Sequence, residues 1–237
     1  MTMKTILTSE LSRTTSDIEK IPFASVISVS ALEGKSELLV SVLLESGYGR
    51  EERSYLLPLD MLDDVGIRLK GMPYEISEET LDALVLSDAV AHALRRAYGI
   101  ISYGACSYKR LERKLREKGV EKEAAVKAVE IVKDKGYIDE EYLARRLCEL
   151  SIKKYWGRAR IIRKLREELY CDEAIDSAAE YLDTVDFSLQ CAELIEKRYM
   201  TIPSDKYEMQ KMFASIARYG YSGSEIRDAV KIFNSRN

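Results

Sequence analysis

The sequence has few of the side chains from which catalytic and metal sites are built. It contains one histidine, and its four cysteines are Cys106, Cys148, Cys171 and Cys191. The cysteines are far apart and form no CxxC pair, which favours reduced thiols that fill apolar space over a zinc site. GxSxG, HExxH and P-loop motifs are also missing. We therefore predict no catalytic residues, no metal and no cofactor.

Long apolar segments are missing as well. No run approaches the roughly 18 to 20 apolar residues of a membrane-spanning helix, and the first twenty residues lack the apolar core of a signal peptide. With 46% apolar and 32% charged residues, the composition is typical of a soluble globular protein. A cytoplasmic protein with no membrane partner and no small-molecule substrate is predicted.

The net charge of −3 conceals an uneven distribution of charge along the chain. Residues 1–80 carry 8 Lys and Arg against 14 Asp and Glu, which gives −6, so residues 81–237 carry +3. Residues 151–166 include seven basic residues and no acid, whereas residues 171–193 include seven acids and no base. The overall acidity argues against indiscriminate coating of nucleic acid. The basic block favours a local contact with phosphates or carboxylates.

The first 80 residues are predicted to form a tail and a small sheet. Residues 1–20 are rich in Ser and Thr and poor in apolar residues, which predicts a disordered tail. From Phe23 onward, apolar residues alternate with a period of two in three segments separated by turn residues. This pattern predicts a domain over 21–80 with three antiparallel strands, closed by a short helix at 59–65 that Gly66 ends.

The remaining chain is predicted to be helical and internally repeated. Apolar pairs in three helices match at offsets of 50 and 51 residues, and the next helices match in the same way. The matched pairs are Leu111 and Leu115, Ile161 and Leu165, and Met212 and Ile216. We predict a mainly α protein with three-helix repeats over 81–136, 137–183 and 184–237. Because so short a repeat cannot bury a core alone, the three are expected to stack into an elongated array.

Residues that start and end helices support this division. Gly119 and Gly220 are expected to end the middle helices of the first and third repeats, and a capping box opens the last helix at Ser222. Leu169 stands where the second repeat would have its glycine, so the turn there is expected to differ. The predicted N-caps of the first helices are Asp88, Asp139 and Asp186.

The helix that leads into the first repeat is predicted to start at Ser77. Its apolar stripe changes phase at Ser87, which predicts a kink or a new helix start at Ser87 or Asp88.

The strongest candidate for a functional surface is the basic block around the only tryptophan, Trp156. A second basic run lies on the equivalent helix of the first repeat, and stacking would place both runs along one side. Arginine forks suit carboxylates and phosphates, and a neighbouring tryptophan is typical of an interface anchor. Trp156 could equally fill the gap between helices while the basic groups face solvent. The predicted partner-binding residues are Lys153, Lys154, Trp156, Arg158, Arg160, Arg163, Lys164, Arg166, Lys109, Arg110, Arg113 and Lys114.

Four segments of the chain resemble the RecX family, the bacterial regulators of the recombinase RecA. In chain order they are KLREKGV at 114–120, GYIDEEYLA at 136–144, GRARIIRKL at 157–165 and ARYGYSGSEIRDAV at 217–230. The resemblance covers residues 88–233, and the leader resembles that of longer family members. Leu169 in place of glycine, and Tyr155-Trp156 in place of a Lys-Gly type of turn, depart from the family pattern.

The resemblance implies a non-catalytic modulator, usually an inhibitor, that lies along the groove of the RecA–DNA filament. Such a protein would suppress ATP hydrolysis and strand exchange in recombination, DNA repair and the SOS response. The alternative is a helical module that binds single- or double-stranded DNA directly, without RecA. Binding to bare DNA, measured beside binding to the RecA filament, would distinguish the two, and a direct DNA site should weaken steeply as salt is raised. The direction of the effect on RecA stays open.

Overall fold

The structure, a computed structural model, describes residues 23–47, 49–199 and 201–236. The chain divides into two compact units, Met1–His92 and Ala93–Asn237. The predicted combination of a small antiparallel sheet with a mainly helical remainder is confirmed. The tail predicted over residues 1–20 lies outside the described residues. The predicted repeat boundaries and the elongated array stay predictions.

The first unit is built on an antiparallel sheet with the strand order β3-β2-β1-β4. The strands are β1 (Phe23–Ala31), β2 (Glu37–Ser46), β3 (Gly49–Pro58) and β4 (Tyr74–Ile76). Alternate residues of β1 and β2, among them Val26, Val40 and Val42, are fully buried, as the period-two pattern predicts. The three predicted strands are confirmed, and β4 adds a fourth.

A short helix follows β3 as predicted. A 3-10 turn leads into α1 (Leu62–Val65), which ends at Gly66 in the left-handed conformation with φ 71°. Glycine takes this conformation without the steric cost that a side chain adds, so the helix stops there.

The predicted alternative of a new helix start at Ser87 or Asp88 is wrong, because α2 (Glu78–Tyr103) is one continuous helix, and the alternative of a kink stays a prediction. The predicted start is confirmed, since the Ser77 hydroxyl accepts a hydrogen bond from the Thr80 amide at 3.1 Å. Ser87 instead donates its hydroxyl to the carbonyl of Leu56 in β3 at 3.1 Å, and Asp88 accepts from the Leu56 amide at 2.8 Å. The two polar residues bind the outer backbone of an edge strand rather than cap a helix.

Eight further helices form the described part of the second unit beyond α2. They are α3 (Tyr108–Glu117), α4 (Lys122–Asp134), α5 (Glu140–Ile152), α6 (Arg158–Glu167), α7 (Asp172–Asp183), α8 (Phe187–Arg198), α9 (Lys206–Ala217) and α10 (Gly223–Arg236). The matched apolar pairs of α3, α6 and α9 are all buried, and one continuous core runs through α5 to α10. The core is therefore shared, because each of these six helices contributes buried side chains that pack against its neighbours.

Local capping follows the sequence closely. Asp139 and Asp186 accept from the amides three residues ahead, each at 2.9 Å, and Ser222 and Glu225 form the predicted capping box. None of the helices in the described ranges combines the length and apolar content needed to cross a bilayer.

The expectation of a different turn at Leu169 is wrong. Leu169 takes a positive φ of 61°, in the same region as Gly119 at 81° and Gly220 at 97°. The residues that follow Leu169 and Gly119 make the same hydrogen bond. The Tyr170 amide donates to the Leu165 carbonyl at 3.3 Å, and the Val120 amide donates to the Leu115 carbonyl at 3.1 Å. The hydrogen bonds of the helix end hold the backbone in this conformation although leucine disfavours it.

Candidate partner-binding surface

The start of α6 packs directly on the turn between α9 and α10. The Gly157 amide donates to the Tyr219 carbonyl at 2.7 Å, and the Ala159 amide donates to the Gly220 carbonyl at 3.3 Å. A Cβ on Gly157 would lie 2.4 Å from the carbonyl carbon of Gly220, so only glycine fits. On the same side, the rings of Phe187 and Tyr221 make an edge-to-face contact at 6.5 Å. We call this set of contacts the second junction.

Trp156 is positioned by the end of α5 immediately before the second junction. The Trp156 amide donates to the Ser151 carbonyl at 3.1 Å, and Tyr155 has a positive φ of 58°. This is the Schellman ending, here with tyrosine in the place that glycine usually takes. The Tyr221 hydroxyl donates to the Tyr155 carbonyl at 3.0 Å, and burial raises the pKa of that hydroxyl. Tyr221 is thus a neutral donor that fixes the strained residue in front of Trp156.

Four cations lie over three aromatic rings at this place, and we call them together the cation–aromatic platform. Arg160 Cζ is 4.1 Å from the centre of the Trp156 ring and 5.7 Å from that of Tyr219. Arg198 Cζ is 5.0 Å from the Tyr219 ring. Lys154 Nζ is 5.9 Å from the Trp156 ring, and Lys197 Nζ is 4.3 Å from the Tyr155 ring. All of these distances are within the range of cation–π attraction.

The platform carries positive charge that described acidic side chains do not neutralise. Within the described residues, none of its four cations forms an ion pair with a carboxylate. Lys154, Lys197 and Arg198 are exposed, whereas Arg160 and the rings are partly buried. Trp156 packs against the core of α5 to α10, as the gap-filling interpretation predicts, and its role as an interface anchor stays a prediction.

A first junction, fifty residues earlier in the chain, joins the start of α3 to the end of α6. The Ser107 hydroxyl donates to the Glu168 carbonyl at 2.7 Å, and the Glu168 carboxylate pairs with Arg110 and, at 2.7 Å, with Lys164. The buried Glu140 carboxylate accepts from the amide of Tyr108 at 2.5 Å and from that of Cys171 at 2.8 Å. The predicted residues Arg110 and Lys164 therefore bind within the protein here.

The other predicted residues are distributed over both basic helices. Arg158 at the start of α6 pairs with Asp183 at 2.5 Å, so it too has an internal partner. Arg113 and Arg163 are exposed and pair only with the glutamate one turn further on, at 3.5 and 3.9 Å. The exposed residues that form no ion pair with a described side chain are Lys109, Lys153 and Arg166.

Lys114 lies apart from the platform. It lines a cleft of about 740 Å³ at the other end of α3, together with Arg96, Lys118 and the almost fully exposed Tyr103. The structure thus separates the predicted set into the platform, two internally paired groups, exposed residues on α3, on α6 and at the end of α5, and this cleft.

Lys197, Arg198 and Tyr219 belong to the platform but were not predicted from the sequence. Lys197 and Arg198 are adjacent in the last turn of α8, and Tyr219 precedes the glycine of the α9–α10 turn. The signal that could have found them is the pairing of Gly157 with Gly220, since two glycines at equivalent helix boundaries permit a close approach of two backbones.

Three of the cysteines have thiols that resist ionisation. Burial raises the pKa of the Cys148 and Cys171 thiols to about 11 and that of Cys191 to about 12, so these thiols are protonated at neutral pH. Among the described residues, no group of three His, Cys, Asp or Glu side chains is arranged to hold a metal ion.

Comparison with known proteins gives relatives of one kind. Regulatory protein RecX of Stenotrophomonas maltophilia is 29% identical over 139 residues, which cover 58% of this chain and 85% of the relative. Regulatory protein RecX of Clostridium botulinum is 22% identical over 196 residues, which cover 81% of this chain and 88% of the relative. No model of a protein family matches the chain.

Solved structures agree on the fold. A crystal structure of regulatory protein RecX superposes with a TM-score of 0.62 at 18% identity, and the match covers 86% of this chain and 99% of that chain. RecX from Lactobacillus salivarius superposes with a TM-score of 0.54 at 19% identity, covering 62% of this chain and 97% of that chain. The resemblance to RecX that the four sequence segments indicate is confirmed.

Proposed function

We propose that this protein is a non-catalytic modulator of the RecA recombinase. It binds along the groove of the RecA–DNA filament and acts as an inhibitor that suppresses ATP hydrolysis and strand exchange in recombinational DNA repair. The observation that carries this proposal is the similarity to regulatory RecX proteins over 139 to 196 residues, together with the shared fold.

The arrangement of the second unit supports a binding role along a repeating partner. Three middle helices, α3, α6 and α9, end in equivalent turns with positive φ at offsets of 50 and 51 residues. At each junction, the start of one of these helices rests on the end of another. We propose that residues 81–136, 137–183 and 184–237 are tandem repeats, and that this succession matches successive subunits of a filament.

The contact with the filament is proposed to use the open basic stripe, which consists of Lys109, Arg113, Arg163 and Arg166. These four side chains are exposed, and Lys109 and Arg166 form no ion pair with a described side chain. Because Arg110, Arg158 and Lys164 are engaged internally, their loss would alter packing as well as binding. Rim charges of this kind govern association rate and its salt dependence.

The experiment is a titration of the full-length protein into DNA-dependent ATP hydrolysis by RecA. We expect the rate of hydrolysis to fall as the protein is added. Reversing the stripe to glutamate at Lys109, Arg163 and Arg166 is expected to raise the half-inhibitory concentration roughly tenfold or more at physiological salt.

A matched control reverses three exposed cations outside α3 and α6, namely Lys122, Lys206 and Arg227. Both variants change the net charge equally, so a non-specific charge effect would shift them alike. Unchanged hydrolysis at saturating protein would refute the proposed function, and equal shifts in both variants would refute the assignment of the stripe.

A further inference from the structure

We infer that the cation–aromatic platform is a binding site for the phosphodiester backbone of single-stranded nucleic acid. This inference rests on the proposed function, because a partner filament contains DNA. It assigns the DNA contact to a surface distinct from the stripe on α3 and α6. Its core members are Trp156, Arg160, Arg198 and Tyr219.

The platform places two guanidinium groups without a carboxylate partner at one aromatic ring. Arg160 and Arg198 both lie within 6 Å of the centre of the same Tyr219 ring, at 5.7 and 5.0 Å. No described carboxylate is paired with either of them. An anion with several charges in succession can bind both guanidinium groups, and a phosphodiester chain has such charges at regular, short spacing.

The backbone that carries Arg160 is closely packed. Gly220 admits Arg160 so closely that a Cβ on the glycine would lie 2.5 Å from the Arg160 Cβ. The stem of Arg160 is therefore fixed between the Gly157–Gly220 contact and the Trp156 ring. A guanidinium stacked on a ring keeps its N–H edge free, and this edge binds phosphate oxygens through two parallel hydrogen bonds.

The backbone at Tyr155 is strained. Leu169 and Tyr155 are the non-glycine residues with positive φ within the described ranges, and Tyr155 lies inside the platform. Its carbonyl is held by the Tyr221 hydroxyl, and Lys197 covers its ring. Strain that neighbouring groups maintain in this way is common where a surface must be preformed for a ligand.

Single-stranded nucleic acid fits this surface better than an acidic protein segment does. Its binding sites combine a positively charged track with aromatic side chains, and the platform has four cations on three rings. The chain as a whole carries −3, so binding of a polyanion depends on local basic surface, which the platform supplies.

The test uses Trp156, the only tryptophan, as a built-in reporter. The full-length protein is titrated with a twelve-residue oligothymidylate, without recombinase, while Trp156 emission is recorded at several salt concentrations. We expect a change in emission, and a slope of log K against log salt of about −2.8 for four neutralised phosphates. The double variant Arg160→Gln and Arg198→Gln is expected to reduce the magnitude of that slope by about 1.4.

Two variants serve as controls. Arg145→Gln removes a guanidinium that also lies on a ring, 4.8 Å from Tyr181, but that pairs with Glu149; it is expected to bind as the wild type does. The lysine variant, Arg160→Lys with Arg198→Lys, keeps the charge and is expected to keep the slope. If it folds and binds while the glutamine variant does not, loss of fold does not explain the result.

The outcomes separate this inference from the proposed function. No change in Trp156 emission, a slope that the glutamine variant leaves unchanged, or equal competition by polyglutamate would each overturn the phosphodiester site. If RecA hydrolysis is still inhibited in that case, the proposed function stands. Normal oligothymidylate binding without any effect on RecA would overturn the proposed function and leave the binding site in place.

Discussion

The two junctions of the helical unit achieve the same contact with opposite chemistry. At the first, a serine hydroxyl, the Glu140 carboxylate and the Glu168 ion pairs join α3, α6 and α7. At the second, Gly157 and Gly220 make a backbone contact without side chains, and Phe187, which follows the N-cap Asp186 as Glu140 follows the N-cap Asp139, packs its ring on Tyr221. The comparison teaches that a helix start can rest on a helix end either through a buried charge or through close backbone approach.

The second junction is expected to tolerate substitution least, and Gly157→Ala tests this. The added methyl would meet the Gly220 backbone, which cannot move as a side-chain tip can. We expect a loss of about 3 kcal/mol in the free energy of unfolding, at the upper end of overpacking costs. Urea denaturation followed by Trp156 fluorescence measures this at the junction itself.

Gly99→Ala is the matched control for that substitution. Gly99 lies within α2, and a Cβ there would meet no atom within 4 Å. Alanine should stabilise this helix by up to about 1 kcal/mol. Equal effects of the two substitutions would contradict the close-approach explanation.

The first junction is expected to fail through an unsatisfied donor, and Glu140→Gln tests this. The glutamine is almost isosteric, but one of its two ends is an N–H₂ group that would face the amide of Tyr108 or Cys171. We expect a loss of about 2 kcal/mol, because hydrogen bonds to a buried charged acceptor are stronger than neutral ones.

Glu141→Gln provides the comparison, since Glu141 is exposed in the same turn of α5. It should change the free energy of unfolding by less than about 0.5 kcal/mol. Far-UV circular dichroism during thermal unfolding reports both variants, and a Glu140→Gln protein as stable as Glu141→Gln would show that the carboxylate is dispensable.

Next to Glu168 of the first junction, the turn at Leu169 has backbone strain that the glycine turns do not have. Leu169→Gly is expected to stabilise the protein by about 1 kcal/mol, because a side chain in the left-handed region costs about that much. The reverse test is Gly119→Ala, which should destabilise by a similar amount. A destabilised Leu169→Gly protein would mean that packing of the leucine outweighs the strain.

The smallest effect concerns the thiol at the first junction. Burial, together with the nearby Glu140 carboxylate, raises the pKa of Cys171 to about 11, although a thiol at a helix start is usually acidic. At pH 8 only about one thiol in a thousand would be ionised at such a pKa, so alkylation should be slow and should accelerate as pH rises toward the pKa.

The thiol measurement also tests the role of Glu140. In the Glu140→Gln variant the carboxylate contribution is removed, so Cys171 should be alkylated faster at pH 8. Mass spectrometry of peptides after timed iodoacetamide treatment identifies the modified cysteine. A rate equal to that of an unfolded cysteine peptide in the wild type would contradict the raised pKa.

Sequence patterns predicted what depends on neighbours within one helical turn. The N-caps at Asp139 and Asp186, the glycine turns and the buried stripes of α3, α6 and α9 all follow from contacts between residues three to five positions apart. The RecX resemblance rested on these same features.

Predictions failed where a distant partner decides the outcome. Ser87 and Asp88 have good capping side chains, but their partner is Leu56, 31 and 32 residues earlier in the chain. Lys197 and Arg198 belong to the platform because the end of α8 lies beside the rings of Tyr155 and Tyr219. A single sequence carries no signal for such long-range pairs beyond the two glycines.

The contacts between helix starts and helix ends also bring opposite ends of helix macrodipoles together. The partial negative charge at the end of α9 meets the partial positive charge at the start of α6, so each offsets the other. The end of α6 and the start of α3 do the same. Within the series α3, α6 and α9, two poles lack such a contact. They are the start of α9, where the Asp205 carboxylate accepts from two amides, and the last turn of α3, which carries Lys114 and Arg116. An acid at the positive pole and bases at the negative pole leave the series of helices electrically balanced from one end to the other.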